Sequence, residues 1–207
     1  MGIIILGAGG LAREVFFHLQ GFYDDFVFVD DYNPDPNVVI QGKAHPVVTD
    51  WDFSAYKEYP FIIGVGAPKA KRIMVERAIK AGLYPAPTFI HPRAIVQDAV
   101  IGVGGIITPH CSVTTNIRIG DYVVLNLNCT VGHDTVIGDY VQANPGCHIS
   151  GNVVLEDGVS LGTGTAVIEG TRIAEDIVTG AQAAVVKDLI EEGTYVGVPA
   201  KPIKRSQ

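Results

Sequence analysis

The 207-residue chain lacks most of the patterns that announce a common chemistry. Its three cysteines include no CxxC pair, so nothing supports a zinc site built on them. The one G-x-S-x-G, Gly158-Val159-Ser160-Leu161-Gly162, falls among evenly spaced aliphatics with no helix pattern after it, and Ser112, Ser150 and Ser160 have no base at a recognisable spacing, which argues against serine-hydrolase chemistry. Neither H-E-x-x-H nor an EF-hand pattern is present, so no metal is expected. Basic residues are few: 15 Lys and Arg stand against 22 Asp and Glu, a formal net charge of −7. That balance argues against nucleic acid as a partner. The basic cluster of Lys201, Lys204 and Arg205 is confined to the C-terminus. Long apolar runs are missing too. Ile3-Ile4-Ile5-Leu6 ends at glycines, is too short for a membrane span and follows no cationic leader. It reads as a buried strand of a cytoplasmic protein.

What the chain does have is apolar content, 47% with mean hydropathy +0.27, enough for a substantial core. It also has 24 glycines and a strict period. From Ile95 to Val185 every sixth residue is Ile, Leu or Val, with Ala143 and Thr179 the exceptions. Helices repeat apolar residues at three and four, and half-buried strands at two. A period of six predicts a solenoid whose coil has three equal sides, one aliphatic pointing inward from each. The residue after the aliphatic is often Gly or Asn, as at Gly102, Gly120, Asn126, Gly132, Gly138, Asn144, Gly162 and Gly180. This predicts corners with positive φ at those positions. The residue two before the aliphatic is small or β-branched, which suits a narrow core. Cys111, Cys129 and Cys147 lie 18 apart, one coil each, and should stack as small core residues in a reducing compartment. About five coils result, a rigid rack.

Before the repeat the pattern is α/β. A strand at residues 2–6 meets Gly7-Ala8-Gly9-Gly10-Leu11-Ala12, and a helix runs from Ala12 to about Gln20. The second strand, Phe26-Val27-Phe28-Val29, closes on Asp30-Asp31, and Asn33-Pro34-Asp35-Pro36 is a loop. Phe61-Ile62-Ile63-Gly64-Val65-Gly66 is a third buried strand. Lys69 to Ala81 reads as a helix with Ile73, Met74 and Ile79 on or near its apolar face. Pro85, Pro87 and Pro92 mark a boundary, with His91-Pro92 at the junction. The expected division is a Rossmann-like α/β domain at 1–88, the solenoid at 89–187 and a C-terminal cap or tail at 188–207.

Two stretches carry chemistry. The first is the G-x-G-x-x-A turn between a strand and a helix. It puts backbone N–H groups and a helix N-terminus where a phosphate can sit. Asp30, about 20 residues on, lies where a carboxylate can accept bonds from a ribose. A full dinucleotide domain needs more strands than this unit supplies, so a mononucleotide fits better than NAD. The second is Asn126…His133-Asp134. Beside a corner both side chains of the pair can reach outward, and a carboxylate next to an imidazole makes it a better base. His110 and His148 read as surface or packing residues, and His18 and His45 belong to no motif.

Taken together, the glycine turn, Phe28-Val29-Asp30-Asp31, Gly64-Val65-Gly66, Asn126, His133-Asp134-Thr135-Val136-Ile137-Gly138, Gly151-Asn152-Val153 and Gly197-Val198-Pro199-Ala200-Lys201 resemble one family over nearly the full length. It is the left-handed parallel β-helix, or hexapeptide-repeat, acyltransferases, in the subgroup that acetylates nucleotide-linked amino sugars. Its members include the bacillosamine-pathway and perosamine N-acetyltransferases and the sialic-acid O-acetyltransferase relatives. The resemblance implies a homotrimer with active sites between neighbouring β-helices and acetyl-CoA as co-substrate. It implies that Gly9, Gly10, Leu11, Asp30, Asp31 and Gly66 hold a sugar nucleotide. It makes His133 the base, assisted by Asp134 and supported by Asn126. Gln142, Gly151, Thr163, Gly180 and Ala181 fall where CoA contacts occur. Leu11 and Gln142 stand where the family often has His. The implied reaction is N-acetylation of the 4-amino group of a nucleotide-linked deoxy-sugar. The rival readings are O-acetylation of a sugar hydroxyl, a non-catalytic nucleotide-binding scaffold and an NAD-linked enzyme.

Overall fold

The structure is a computed structural model describing residues 1–31 and 35–203. Asn33 and Pro34 of the expected loop, and Lys204 and Arg205 of the basic cluster, lie outside the described residues. The chain separates into two compact units, Met1–Pro87 and Thr88–Gln207.

The larger unit is a three-sided parallel β-helix. Its sides are sheets of six, five and eight short strands. Strands one coil apart pair in parallel, as Ser112↔Thr130 and Val113↔Val131 do, so the repeat is 18 residues. The second residue of each pair points inward: Val113, Leu125, Val131, Ile137, Ala143 and Leu161 are all buried in one continuous core. Truncating Leu125, Ile137 or Leu161 to Ala would cost about 2–5 kcal/mol. The period of six therefore describes a real packing column, with one slip at its start. Ile95 pairs with Ser112, so Val96 is the inward residue and Ile95 is 60% exposed. The first coil is one residue shorter on that side.

The corners also differ from expectation. The left-handed residues lie three after the inward aliphatic, at His110, Asn116, Tyr122, Asn128, Asp134, Tyr140, Gly146 and Asn152, and not directly after it. The glycines that do follow the aliphatics are there for space. A Cβ on Gly120 would sit 2.8 Å from the carbonyl carbon of Gly138, and one on Gly132 would sit 2.5 Å from the amide nitrogen of Gly151. Stacked coils approach too closely at these points for any side chain. Cys111, Cys129 and Cys147 are buried and free, each thiol donating to carbonyls of the next coil. At the C-terminal end, Thr194–Val196 extends the third sheet in parallel and Lys201–Pro202 closes it in antiparallel.

In the smaller unit β1 (Gly2–Leu6), β2 (Asp25–Val29), β3 (Asn37–Ile40), β4 (Lys43–Val48) and β5 (Phe61–Ile63) form one sheet in the order β3-β4-β2-β1-β5. All pairs are parallel except the β3–β4 hairpin, which turns through Gln41 and Gly42. That hairpin has no clear sequence signal, because Pro46 interrupts its second strand. Helix α1 (Gly10–Leu19) opens at the glycine turn, and α2 (Pro68–Lys80) follows β5. Together they make the Rossmann-like arrangement expected. The apolar face of α2 is not the expected one. Lys71, Val75 and Ala78 are buried, whereas Ile73 and Ile79 are 58% and 52% exposed. A stripe at spacings of four and three fixes the inner face, and those isoleucines fall off it. Burial holds the Lys71 amine well below the usual lysine range.

His45 is buried against Phe16, with ring centroids 4.7 Å apart, and lies near Phe26 and Phe28. Its Nε2 has no hydrogen-bond partner among the described residues. Burial pushes its pKa down, Lys43 adds to this and Asp25 opposes it. The folded chain therefore holds His45 neutral, while the unfolded chain takes up a proton at ordinary histidine pH. The stability this supports is present above about pH 6.5 and is lost as pH falls. We expect His45→Leu to reduce the drop in melting temperature between about pH 8 and about pH 5 relative to wild type. An undiminished drop would assign the acid sensitivity elsewhere.

Candidate active site

The strand Thr130–Val131 ends at Gly132, and the corner that follows presents His133 and Asp134. Asp134 has φ +59°, a conformation that Asp and Asn tolerate better than most residues. Its carboxylate faces the imidazole, with Oδ2 2.8 Å from His133 Nδ1, and both side chains are about half exposed. The carboxylate therefore favours the tautomer with Nδ1–H, which leaves the Nε2 lone pair free. The other oxygen, Oδ1, accepts the side-chain N–H of Asn116 at 2.5 Å. Asn116 first, then His133, hold the Asp134 carboxyl below the usual carboxylate range. The imidazole lies over Gly151: a Cβ there would be 2.5 Å from Nε2.

The other expected residues of this unit are distributed. Asn126 is buried and its side-chain oxygen accepts the Leu127 N–H at 2.7 Å, so it braces its own corner; it makes no bond to the His133–Asp134 pair among the described residues. Gln142 is 3% exposed, and its Nε2 donates to Asn144 Oδ1 at 3.2 Å. Its Oε1 is buried with no partner among the described residues. Thr163, Gly180 and Ala181 lie at the corner after the third sheet, where Gln182 N–H donates to the Thr163 carbonyl at 2.8 Å. His133 sits at the corner after the first sheet, so one chain does not bring these groups together.

In the smaller unit Gly9, Gly10, Leu11, Asp30, Asp31 and Gly66 line one cavity of about 480 Å³. Gly7 (φ +121°) and Gly64 are required by packing: a Cβ on Gly64 would meet Ile5 at 2.5 Å. Gly9 and Gly10 are not, since nothing lies within 4 Å of a Cβ on either. They leave open space beside the N-terminus of α1, which has no side-chain cap and no acidic residue in its first turn. The N-terminal end of α2, at Gly66 and Ala67, lines the same cavity, and it too has no acid in its first turn. Backbone donors and two helix dipoles so favour an anionic ligand. Both oxygens of Asp31 are engaged, one by the Trp51 indole N–H and one by Arg77. Arg77 lies over the Trp51 ring, 4.2 Å from its centroid, on the cavity wall.

The family model of the PglD N-terminal domain matches residues 2–78. The acetyltransferase domain of PglB from Neisseria gonorrhoeae FA1090, solved with acetyl coenzyme A, is 30% identical; the match covers 98% of each chain with a TM-score of 0.87. The chain belongs to this acetyltransferase family. Its members are sugar N-acetyltransferases of the bacillosamine and perosamine type, and their β-helix is left-handed. Perosamine N-acetyltransferase from Caulobacter crescentus, solved with CoA and GDP-perosamine, is 26% identical over 99% of this chain and 98% of that one, with a TM-score of 0.87. WeeI from Acinetobacter baumannii AYE is 26% identical over 98% and 100%, with a TM-score of 0.85. No curated protein sequence matches the chain. Among the described residues, no group of three or more His, Cys, Asp and Glu could hold a metal, and no helix is long and apolar enough to cross a membrane.

Sequence reasoning missed Asn116, Trp51 and Arg77. For Asn116 a signal existed, since it precedes Asp134 by one coil of 18. Trp51 and Arg77 come together only through the fold. The seat of the imidazole on Gly151 is testable in this acetyltransferase. Gly151→Ala should leave the melting temperature nearly unchanged, because the free end of a half-exposed ring can move aside. If the ring takes part in transfer, it should cut acetyl transfer by about tenfold or more, since misplacing a reacting group by about 1 Å is costly. Full activity in that variant would show that the ring position is not set there.

Proposed function

We propose that the protein transfers the acetyl group of acetyl-CoA to the 4-amino group of a nucleotide-linked amino-deoxy sugar, with His133 as general base. The observation that carries this reading is the 2.8 Å His133 Nδ1–Asp134 Oδ2 pair on an exposed corner. The amine nitrogen attacks the thioester carbonyl carbon and the C–N bond forms. His133 Nε2 takes the ammonium proton, and the Asp134 carboxylate stabilises the imidazolium. The tetrahedral intermediate collapses with cleavage of the C–S bond, and the proton passes to the leaving thiolate. The products are the N-acetyl sugar nucleotide and CoA. The Gly151 amide, beside the ring, is the candidate donor to the oxyanion.

The related structures were solved with acetyl coenzyme A, and with CoA and GDP-perosamine, which supports both substrate classes. The donor set fits as well. The open glycines at the α1 N-terminus suit the diphosphate, and Asp30 suits the ribose. Gln142, Gly151, Thr163, Gly180 and Ala181 remain the candidate CoA contacts. His133 and the corner at Thr163, Gly180 and Ala181 lie on different edges of one β-helix. A homotrimer that sets each His133 beside a neighbour's groove brings the two halves together. We place this trimer in the cytoplasm, where its three free thiols persist.

His133→Ala should lower kcat by about 100-fold or more, the usual worth of a positioned base. Transfer within about tenfold of wild type would remove His133 from that role. Thermal-shift measurements should show stabilisation by acetyl-CoA and by a nucleoside diphosphate but not by NAD; a response to NAD alone would overturn the substrate assignment.

A further inference from the structure

Asp98, Asn116 and Asp134 occupy the same corner of the β-helix in three successive coils, 18 residues apart. They are chained by hydrogen bonds in one direction. Asp98 Oδ2 accepts the Asn116 backbone N–H and the Thr115 hydroxyl, both at 3.0 Å. Asn116 has φ +54°, so the Asp98 carboxylate braces a left-handed residue at its amide. Its side-chain N–H then reaches up to Asp134 Oδ1 at 2.5 Å, and the Thr115 carbonyl accepts the Asp134 N–H at 3.1 Å. Asp134 Oδ2 is left to His133 Nδ1.

An exposed carboxylate one residue from a histidine has no reason to hold a single rotamer. Either oxygen, or neither, could face the ring, and the imidazole would then sample both tautomers. An amide anchored from the coil below removes that freedom, because it occupies Oδ1 and directs Oδ2 at the ring. Second-layer partners of this kind orient the group that does the chemistry. One coil above, Asn152 occupies the same corner but turns its amide to Glu169, so it does not compete for Asp134.

We propose that Asn116, held by Asp98, is a positioning residue that fixes the Asp134 carboxylate and through it the tautomer and orientation of His133. The inference rests on the reading of His133 as base. Two Asn116 variants test it. Asn116→Gly keeps the left-handed corner and removes the amide. Asn116→Asp keeps shape and corner and replaces the donor with a second carboxylate. Asp176→Gly, at a different corner with φ +57°, controls for corner strain.

Both Asn116 variants should lower kcat by about 10–100-fold, in the range of second-layer substitutions, while Asp176→Gly does not. KM values for acetyl-CoA and for the amino sugar nucleotide should stay within about threefold, because a residue that acts through Asp134 changes the base and not the binding of either substrate. The ¹⁵N spectrum of the His133 ring should change from one Nδ1–H tautomer to a mixture. In an Asp134→Gly background, Asn116→Gly should cost nothing further, as expected for a residue that acts through Asp134. A wild-type tautomer in both Asn116 variants would overturn the proposal, and so would a further loss in the Asp134→Gly background. The ring spectrum needs no turnover, so it tests the positioning role even if His133→Ala shows that the base lies elsewhere.

Discussion

Backbone hydrogen bonding between successive coils is the constraint on which the β-helix depends. Ser112 N–H donates to the Cys129 carbonyl, and Thr130 N–H donates to the Cys147 carbonyl, each one step up the same ladder. Parallel strands in such a ladder lie about 4.8 Å apart, so every residue sits almost directly over the one 18 positions earlier. Three consequences meet at one corner. The backbone at Gly151 comes so close to Gly132 that Gly132 has no room for a side chain. The His133 ring gains a flat seat on Gly151. Asp98, Asn116 and Asp134 become a vertical column in which each can hold the next. A corner residue that would be mobile on an ordinary loop is thereby fixed from below.

The smaller unit applies a different economy. Its sheet and helices are packed tightly where Gly64 lets α1 approach β5, and left open where Gly9 and Gly10 face the cavity. Carboxylates stand at the C-terminal end of β2, and uncapped N-termini of two helices stand across from them. This separates a place for negative charge from a place for hydroxyls within one cavity. Asp31 is drawn into a cluster with Arg77 and Trp51, and Asp30 stands beside it on the cavity wall. On the proposed function, the chemistry of transfer and the selection of substrate rest on unrelated physical principles, stacking in one unit and helix-end electrostatics in the other.

Several features were legible only as composition. The Gly and Asn residues that follow the aliphatics marked the corners correctly, but at the glycines the reason was close approach and not positive φ. The left-handed positions fell two residues after those, mostly on Asn, Asp, Tyr and Gly. On α2 the apparent apolar residues Ile73 and Ile79 lay outside, because the inner stripe was set by Val75, Ala78 and the stem of Lys71. A lysine is an unlikely core residue by type, so no pattern search would place it there. The β3–β4 hairpin was hidden by Pro46, and the slip at Ile95 by a neighbour, Val96, of equal hydrophobicity.

The sequence by itself determined the period, and with it the three-sided coil, the stacked thiols and the adjacency of His133 to Asp134. These follow from local spacing, which a chain cannot conceal. Only the tertiary structure decided which corner residue supports the pair. Asn126 lies seven positions before His133 and looked the natural partner, yet it is turned into its own corner; Asn116 lies 17 before His133 and one coil below Asp134. Contacts across a coil depend on register, and one residue of slip moves a side chain to another face. The meeting of Trp51, Arg77 and Asp31 belongs to the same class, since no spacing relates them until the sheet and helix have packed.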